Sequence, residues 1–196
     1  MLLTELGVEQ AAFLGFSWGA RVGCWFAARF PERITALALV EGGHHRSLRP
    51  TGLRAAIAEA RAEREDETFD SWEAYLAYER ESLRRWTPEL EEAHRAVMVE
   101  EAGRVAPVLS AEALGAINRG SRLEPVAEAY PAIAAAGMPV LLVVSSELAR
   151  DSVERFRAAL PEARVERIPD SIHDLVSFAP REVARLVGTF AASQYK

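Results

Sequence analysis

An α/β architecture, a mostly parallel sheet flanked by helices, follows from three features of this 196-residue chain. The apolar run that starts at Ala11, and those of Ile34 to Val40 and Val140 to Val144, are short and almost uninterrupted. That is how strands covered on both faces read. A helix-forming segment lies between the first two runs, which gives strand, helix and strand in about thirty residues, the size of a βαβ unit. At the first strand-to-helix junction stands a G-x-S-x-G pentapeptide, Gly15-Phe16-Ser17-Trp18-Gly19.

A chain of this length with 49% hydrophobic residues can bury a core and is most simply one domain. Its net charge of −6 disfavours nucleic acid and anionic membrane as partners, because both select a basic surface. No stretch is long and apolar enough to span a bilayer, and the first residues lack the basic and apolar regions of a signal peptide. Cys24 is the single cysteine, so no internal disulfide forms and a reducing, cytoplasmic setting is expected. Its place in an apolar helix reads as a buried structural thiol.

Taken in order, Leu2 to Gly7 is all that precedes the first strand. The turn at Ser17 is strained, and Gly15 and Gly19 answer the expectation that only very small side chains fit two residues either side of it. Such a turn lifts the serine oxygen clear of the sheet and aims the Trp18 N–H at a developing oxyanion. Trp18 to Phe30 reads as a helix, with Trp18, Val22, Trp25 and Phe26 at core-type spacing and Gly19, Ala20 and Gly23 as a small-residue face for close packing on a sheet. Pro31 ends it. The strand Ile34 to Val40 delivers Glu41 to its carboxyl end, where ligands and catalytic groups of parallel sheets gather. His44 and His45 come next, in a loop expected to face a pocket. No Cys, Asp or Glu cluster completes a metal site with them.

From Leu48 to Ala136 the texture is helical and strand-like runs vanish. Glu59, Arg61, Glu63 and Glu65 fall at the spacing of a solvated helix face. Phe69, Trp72, Leu76, Leu83 and Trp86 form an apolar stripe with Tyr75 and Tyr78 beside it. Thr87 and Pro88 start a further helix whose first turn is acidic, and Ser110 can cap another. After Pro139 the sheet resumes with Val140 to Val144, and Ser145-Ser146-Glu147 lies at its carboxyl end. Asp151 opens a helix running to Leu160. Val165 to Ile168 is a last short strand, and the loop after it holds His173 and Asp174, where Asp174 serves the next turn. Pro180 to Ala192 closes the chain as an amphipathic helix with Val183, Leu186, Val187 and Phe190 inward.

The runs L-T-E-L-G-V-E-Q-A-A-F-L-G-F-S-W-G-A-R-V-G and A-A-R-F-P-E-R-I-T-A-L-A-L-V resemble the middle of an α/β-hydrolase. P-V-L-L-V-V-S-S-E, V-E-R-I-P-D-S-I-H-D-L and P-R-E-V-A-R-L-V-G-T-F resemble its C-terminal end, and the two blocks cover about half the chain in the family's order. The resemblance implies an α/β-hydrolase fold with core segments at 1–47 and 137–196, a helical cap or lid inserted over 48–136, and the N-terminal part of the core missing. It makes Ser17 the nucleophile, His173 the general base and the Trp18 N–H an oxyanion donor. The second donor belongs to a loop after an early strand that these residues do not contain. Glu41 matches the acid position of the haloalkane dehalogenase branch. Glu147, with Asp151 behind it, matches the commoner one. Three departures stand out: Ser145 and Ile172 replace glycines, and Leu148 an aspartate.

The resemblance thus implies a serine hydrolase, carboxylesterase-like, acting without a cofactor or metal on a small, uncharged ester, thioester or amide. A serine at position 17 argues against dehalogenase and epoxide hydrolase chemistry, since an alkyl ether on serine cannot be hydrolysed as an alkyl ester can. Two alternatives stand beside it: a truncated, inactive or weakly active remnant acting as a binding domain, and a cofactor-free perhydrolase or haloperoxidase. The uncovered edge of the nucleophile strand invites pairing with a second copy of the chain.

Overall fold

The structure, a computed structural model, describes residues 2–44 and 51–194. In chain order the elements are α1 (Leu2–Glu5), β1 (Ala11–Phe16), α2 (Trp18–Arg29), β2 (Ile34–Val40), α3 (Leu53–Asp66), α4 (Trp72–Ser82), α5 (Pro88–Ala96), β3 (Met98–Glu101), β4 (Arg104–Pro107), α6 (Ala111–Leu123), α7 (Tyr130–Ala135), β5 (Val140–Val144), α8 (Arg150–Ala159), β6 (Arg164–Arg167), α9 (Leu175–Phe178) and α10 (Pro180–Ser193). They fall into two compact units, one of residues 1–47 and 125–196 and one of residues 48–124.

The first unit has the α/β architecture. Its sheet runs β1-β2-β5-β6, every neighbouring pair parallel. Successive side chains of a strand point to opposite faces. Leu37, Leu39, Val140, Leu142 and Val144 accordingly pack on one side with Ala20, Cys24 and Ala27 of α2, Ile133 of α7 and Phe156 of α8. Ala36, Ala38, Val40, Leu141 and Val143 pack on the other with Leu175 of α9 and Val183, Leu186 and Phe190 of α10. Burial on both faces explains why β2 and β5 read as continuous apolar runs. β1 ends the sheet and, among the described residues, is paired on one side only, with Leu14 56% exposed.

α2 turns the expected small residues Ala20 and Gly23 to the sheet, with Trp25 and Phe26 packed against the same core cluster, and corrects the expectation for Trp18 and Val22. Trp18 and Val22 are 57% and 40% exposed, while Ala20, Gly23, Cys24 and Ala27 are buried. The helix lies so close to the sheet that a Cβ on Gly23 would sit 2.7 Å from the Phe13 ring. Close approach, and not side-chain bulk, decides which face turns inward here.

In the second unit α3 packs on α6. A Cβ on Gly115 would lie 2.7 Å from the Ile57 Cα, and Ala56 and Ala60 are fully buried. A separate cluster joins Tyr75, Leu76, Met98 and Val105 with Phe69, Trp72 and Trp86. Ser71, Thr87 and Ser110 cap α4, α5 and α6 by accepting N–H bonds of 3.1, 3.3 and 3.2 Å. The expectation of no strands between Leu48 and Ala136 is overturned by the antiparallel hairpin β3-β4, which turns at Ala102 and Gly103, both at positive φ. Each strand is four residues long and buries little beyond Met98, Val105 and Ala106, too short a pattern for alternation to register. The expected insertion also ends earlier in the structure. Val126, Ala129, Tyr130 and Ile133, within the expected 48–136 segment, belong to the core of the first unit.

Candidate active site

Ser17 stands between β1 and α2 with φ 50° and ψ −116°, a conformation L-residues rarely hold. Its N–H is fixed by the Val40 carbonyl at 2.8 Å. Although Ser17 occupies the N-cap position of α2, its hydroxyl makes no capping bond. Its Oγ instead lies 3.0 Å from His173 Nε2. The Trp18 N–H is the first of α2, and the opening N–H groups of a helix have no acceptor within it.

Glycine is demanded at two places around this turn, and only one was legible. A Cβ on Gly15 would meet the Ala20 N and the Gly19 backbone at 2.5 Å. Around Gly19, by contrast, nothing lies within 4 Å of an added Cβ, which corrects the reading of that residue as sterically required. The second demanding position is Gly42, where a Cβ would stand 2.0 Å from the Ser17 carbonyl oxygen. The Gly-Gly pair after Glu41 marks a turn, but not the close approach of the Ser17 backbone that demands glycine at 42. Gly42→Ala and Gly15→Ala are therefore expected to destabilise the protein by about 1–3 kcal/mol or more. Gly19→Ala should change stability by under about 1 kcal/mol. Urea unfolding of the three variants checks the contrast.

Glu41 follows β2 at φ 46°, with its N–H on the Val143 carbonyl at 2.9 Å. Its side chain is 3% exposed, and Oε2 lies 2.9 Å from His173 Nδ1. Oε1 accepts the Ser145 N–H. Burial pushes the Glu41 carboxyl up, but hydrogen bonds from His173 and Ser145 more than offset this and hold it below the usual carboxylate range. An ionised Glu41 places the proton of the neutral ring on Nδ1 and leaves the Nε2 lone pair facing Ser17. The ring itself is 57% exposed and stands 5.6 Å, centroid to centroid, from that of Phe16.

The other nominated residues sit elsewhere. Glu147 is exposed, and its Oε2 accepts the backbone N–H of His173 at 3.2 Å. Asp151 lies in the first turn of α8. Asp174 caps α9 through the Ser177 N–H at 3.3 Å. His44 is buried and His45 lies outside the described residues. Cys24 is buried with its thiol toward the Gly43 carbonyl at 3.8 Å, and burial pushes its pKa up to about 12, which keeps it a thiol. Tyr130 donates to the same carbonyl at 2.8 Å, so the loop after Glu41 is anchored from α7.

A family model described as alpha/beta hydrolase fold matches residues 1–180. Among solved structures, the chain is similar to E-2-(acetamidomethylene)succinate hydrolase at 20% identity and a TM-score of 0.69, covering 97% of this chain and 70% of that one. The enol-lactonase from Burkholderia xenovorans LB400 aligns at 19% identity and a TM-score of 0.66, covering 97% and 69%. The thioesterase domain from the curacin biosynthetic pathway aligns at 16% identity and a TM-score of 0.64, again covering 97% and 69%. At these identities the likeness is one of fold. No curated protein matches the chain.

Proposed function

Because the chain belongs to the α/β-hydrolase fold family, we propose that it is a serine hydrolase cleaving a small, uncharged carboxylic ester, thioester or amide through an acyl-enzyme. One observation carries the reading: Ser17 Oγ, the His173 ring and Glu41 form a continuous hydrogen-bonded chain of 3.0 and 2.9 Å across three separate segments. An exposed histidine has no folding reason to bridge a strained serine and a buried carboxylate. The enol-lactonase and the thioesterase domain among the similar structures bear names of acyl-bond cleavage, which favours an acyl substrate here.

In the first half-reaction the Ser17 proton passes to His173 Nε2 as Oγ bonds to the carbonyl carbon. Charge that develops on the carbonyl oxygen meets the Trp18 N–H. Glu41 accepts the Nδ1–H throughout and stabilises the imidazolium without taking its proton. The ring then gives its Nε2 proton to the departing alkoxide, thiolate or amine, and the acyl group stays on Ser17. Water, deprotonated by the same nitrogen, attacks the acyl carbon, the bond from that carbon to Ser17 Oγ breaks as Nε2 returns the proton to Oγ, and the carboxylic acid leaves.

The test is covalent. A fluorophosphonate probe is expected to add once per chain, on the peptide that contains Ser17, and Ser17→Ala should take up none. Addition elsewhere, or none to the folded wild type, would refute the reading.

A further inference from the structure

Residues 145–148, after β5, touch both the acid and the base without belonging to the proton relay. At one end the Ser145 N–H is on Glu41, and at the other Glu147 Oε2 holds the His173 N–H at 3.2 Å. Between these contacts Ser146 and Ser171 clasp each other. Ser146 Oγ donates to the Ser171 carbonyl at 2.7 Å and accepts the Ser171 N–H at 3.0 Å, while Ser171 Oγ accepts the Ser146 N–H at 3.3 Å. Arg167 Nη1 reaches the carbonyls of Ser145, Ser146 and Leu148 at 2.5, 3.2 and 3.1 Å and so pins the loop's own backbone.

The base needs such support. Its ring is more than half exposed, so packing alone does not hold it, and it rides on a loop between β6 and α9. A carboxylate beside that loop can bind the imidazole or the chain that carries it. Glu41 already occupies Nδ1, and Glu147 is on the amide.

We propose that Glu147 is a positioning residue for His173, holding the backbone of the base in line with Ser17 from the loop that also fixes Glu41. The inference rests on Ser17 and His173 being nucleophile and base. Its effect is geometric: a displacement of about 1 Å in a reacting group can cost about a hundredfold in rate.

Three variants separate the roles open to Glu147. Glu147→Ala removes the acceptor, Glu147→Gln keeps an amide oxygen in its place without the charge, and Glu147→Asp withdraws it by one methylene. With p-nitrophenyl acetate as substrate, Glu147→Ala is expected to lower kcat about 10- to 100-fold with KM within about twofold. Glu147→Gln should recover most of that loss, and fluorophosphonate labelling rates of Ser17 should follow kcat. If Glu147→Ala does not fold, Glu147→Asp stands in for it with a loss in the same direction. Wild-type rates in Glu147→Ala or Glu147→Asp overturn the proposal, as does a Glu147→Gln loss as deep as that of Glu147→Ala, which would mean that the charge acts. A wild type that takes no label overturns this inference together with the reading beneath it. A labelled wild type with unaffected Glu147 variants overturns this inference alone.

Discussion

Ser17→Ala is expected to lower kcat on p-nitrophenyl acetate by about 10⁴- to 10⁶-fold. Under the proposed mechanism the loss is this large because the hydroxyl oxygen is the atom that becomes covalent, so no other group in the relay can substitute for it. What survives is the contribution of binding and of the Trp18 N–H, which do not need the serine. His173→Ala should fall into the same range, since Ser17 keeps its proton once the acceptor 3.0 Å away is gone. The sharper form of the prediction is non-additivity. Residues that act as one unit lose their function once, so the Ser17→Ala, His173→Ala double variant should be no slower than the slower single variant. Losses that multiply would mean independent roles, and the shared proton path would be wrong. Circular dichroism melts should keep Ser17→Ala close to the wild type, because the Ser17 side chain belongs to none of the core clusters. The two variants that lack His173 should melt lower, because the buried Glu41 carboxylate loses its ring partner.

Much of this arrangement is legible in the sequence alone. β2 and β5 are covered on both faces, so their positions carry no polar alternation to confuse them, and the glycine-flanked serine announces strand, turn and helix together. Strand ends nominate Ser17, Glu41 and His173, and the structure sets them on one hydrogen-bonded chain. The failures have a common cause. Size and spacing assign Gly19, Trp18 and Val22, whereas the distance of α2 from the sheet decides which residues turn inward, and that distance is set by Gly15, Gly23 and Ala20. Gly42 escapes for the same reason: its demand comes from the backbone of Ser17, twenty-five positions earlier in the chain. The β3-β4 hairpin escapes because each strand has four residues and turns on Ala102-Gly103, outside the usual asparagine-glycine signal. The loop at 145–148 is legible as a site for an acid, but which group its carboxylate holds depends on the course of another loop, and spacing carries no record of that.

Glu41→Gln tests the acid directly, with an expected loss of about 10⁴-fold in kcat. Glutamine is close in shape, so the buried space stays filled, but its single oxygen can face only one of the Ser145 N–H and the ring Nδ1. What changes is the partner of Nδ1. An amide nitrogen turned toward the ring would draw the ring proton to Nε2, and a ring protonated there cannot accept from Ser17. An amide oxygen in that place preserves the tautomer but no longer offsets the imidazolium charge. The same substitution carries a signature in folding. The Glu41 carboxyl is held below its ordinary range, so it binds fewer protons folded than unfolded near the unfolded pKa of about 4.3. The stability this confers is complete above that pH and is lost as pH falls through the folded value. The stability gap between wild type and Glu41→Gln, measured by urea unfolding, should therefore be larger at pH 7 than at pH 3. A gap that stays constant would mean that Glu41 titrates alike folded and unfolded, and a gap smaller at pH 7 than at pH 3 would mean that the fold favours the neutral carboxyl, which could not support the imidazolium. Glu147→Gln is the control within the same loop system. If it, and not Glu41→Gln, loses turnover by several orders of magnitude, then the acid is Glu147 and the 2.9 Å contact at Nδ1 is only a support for the ring.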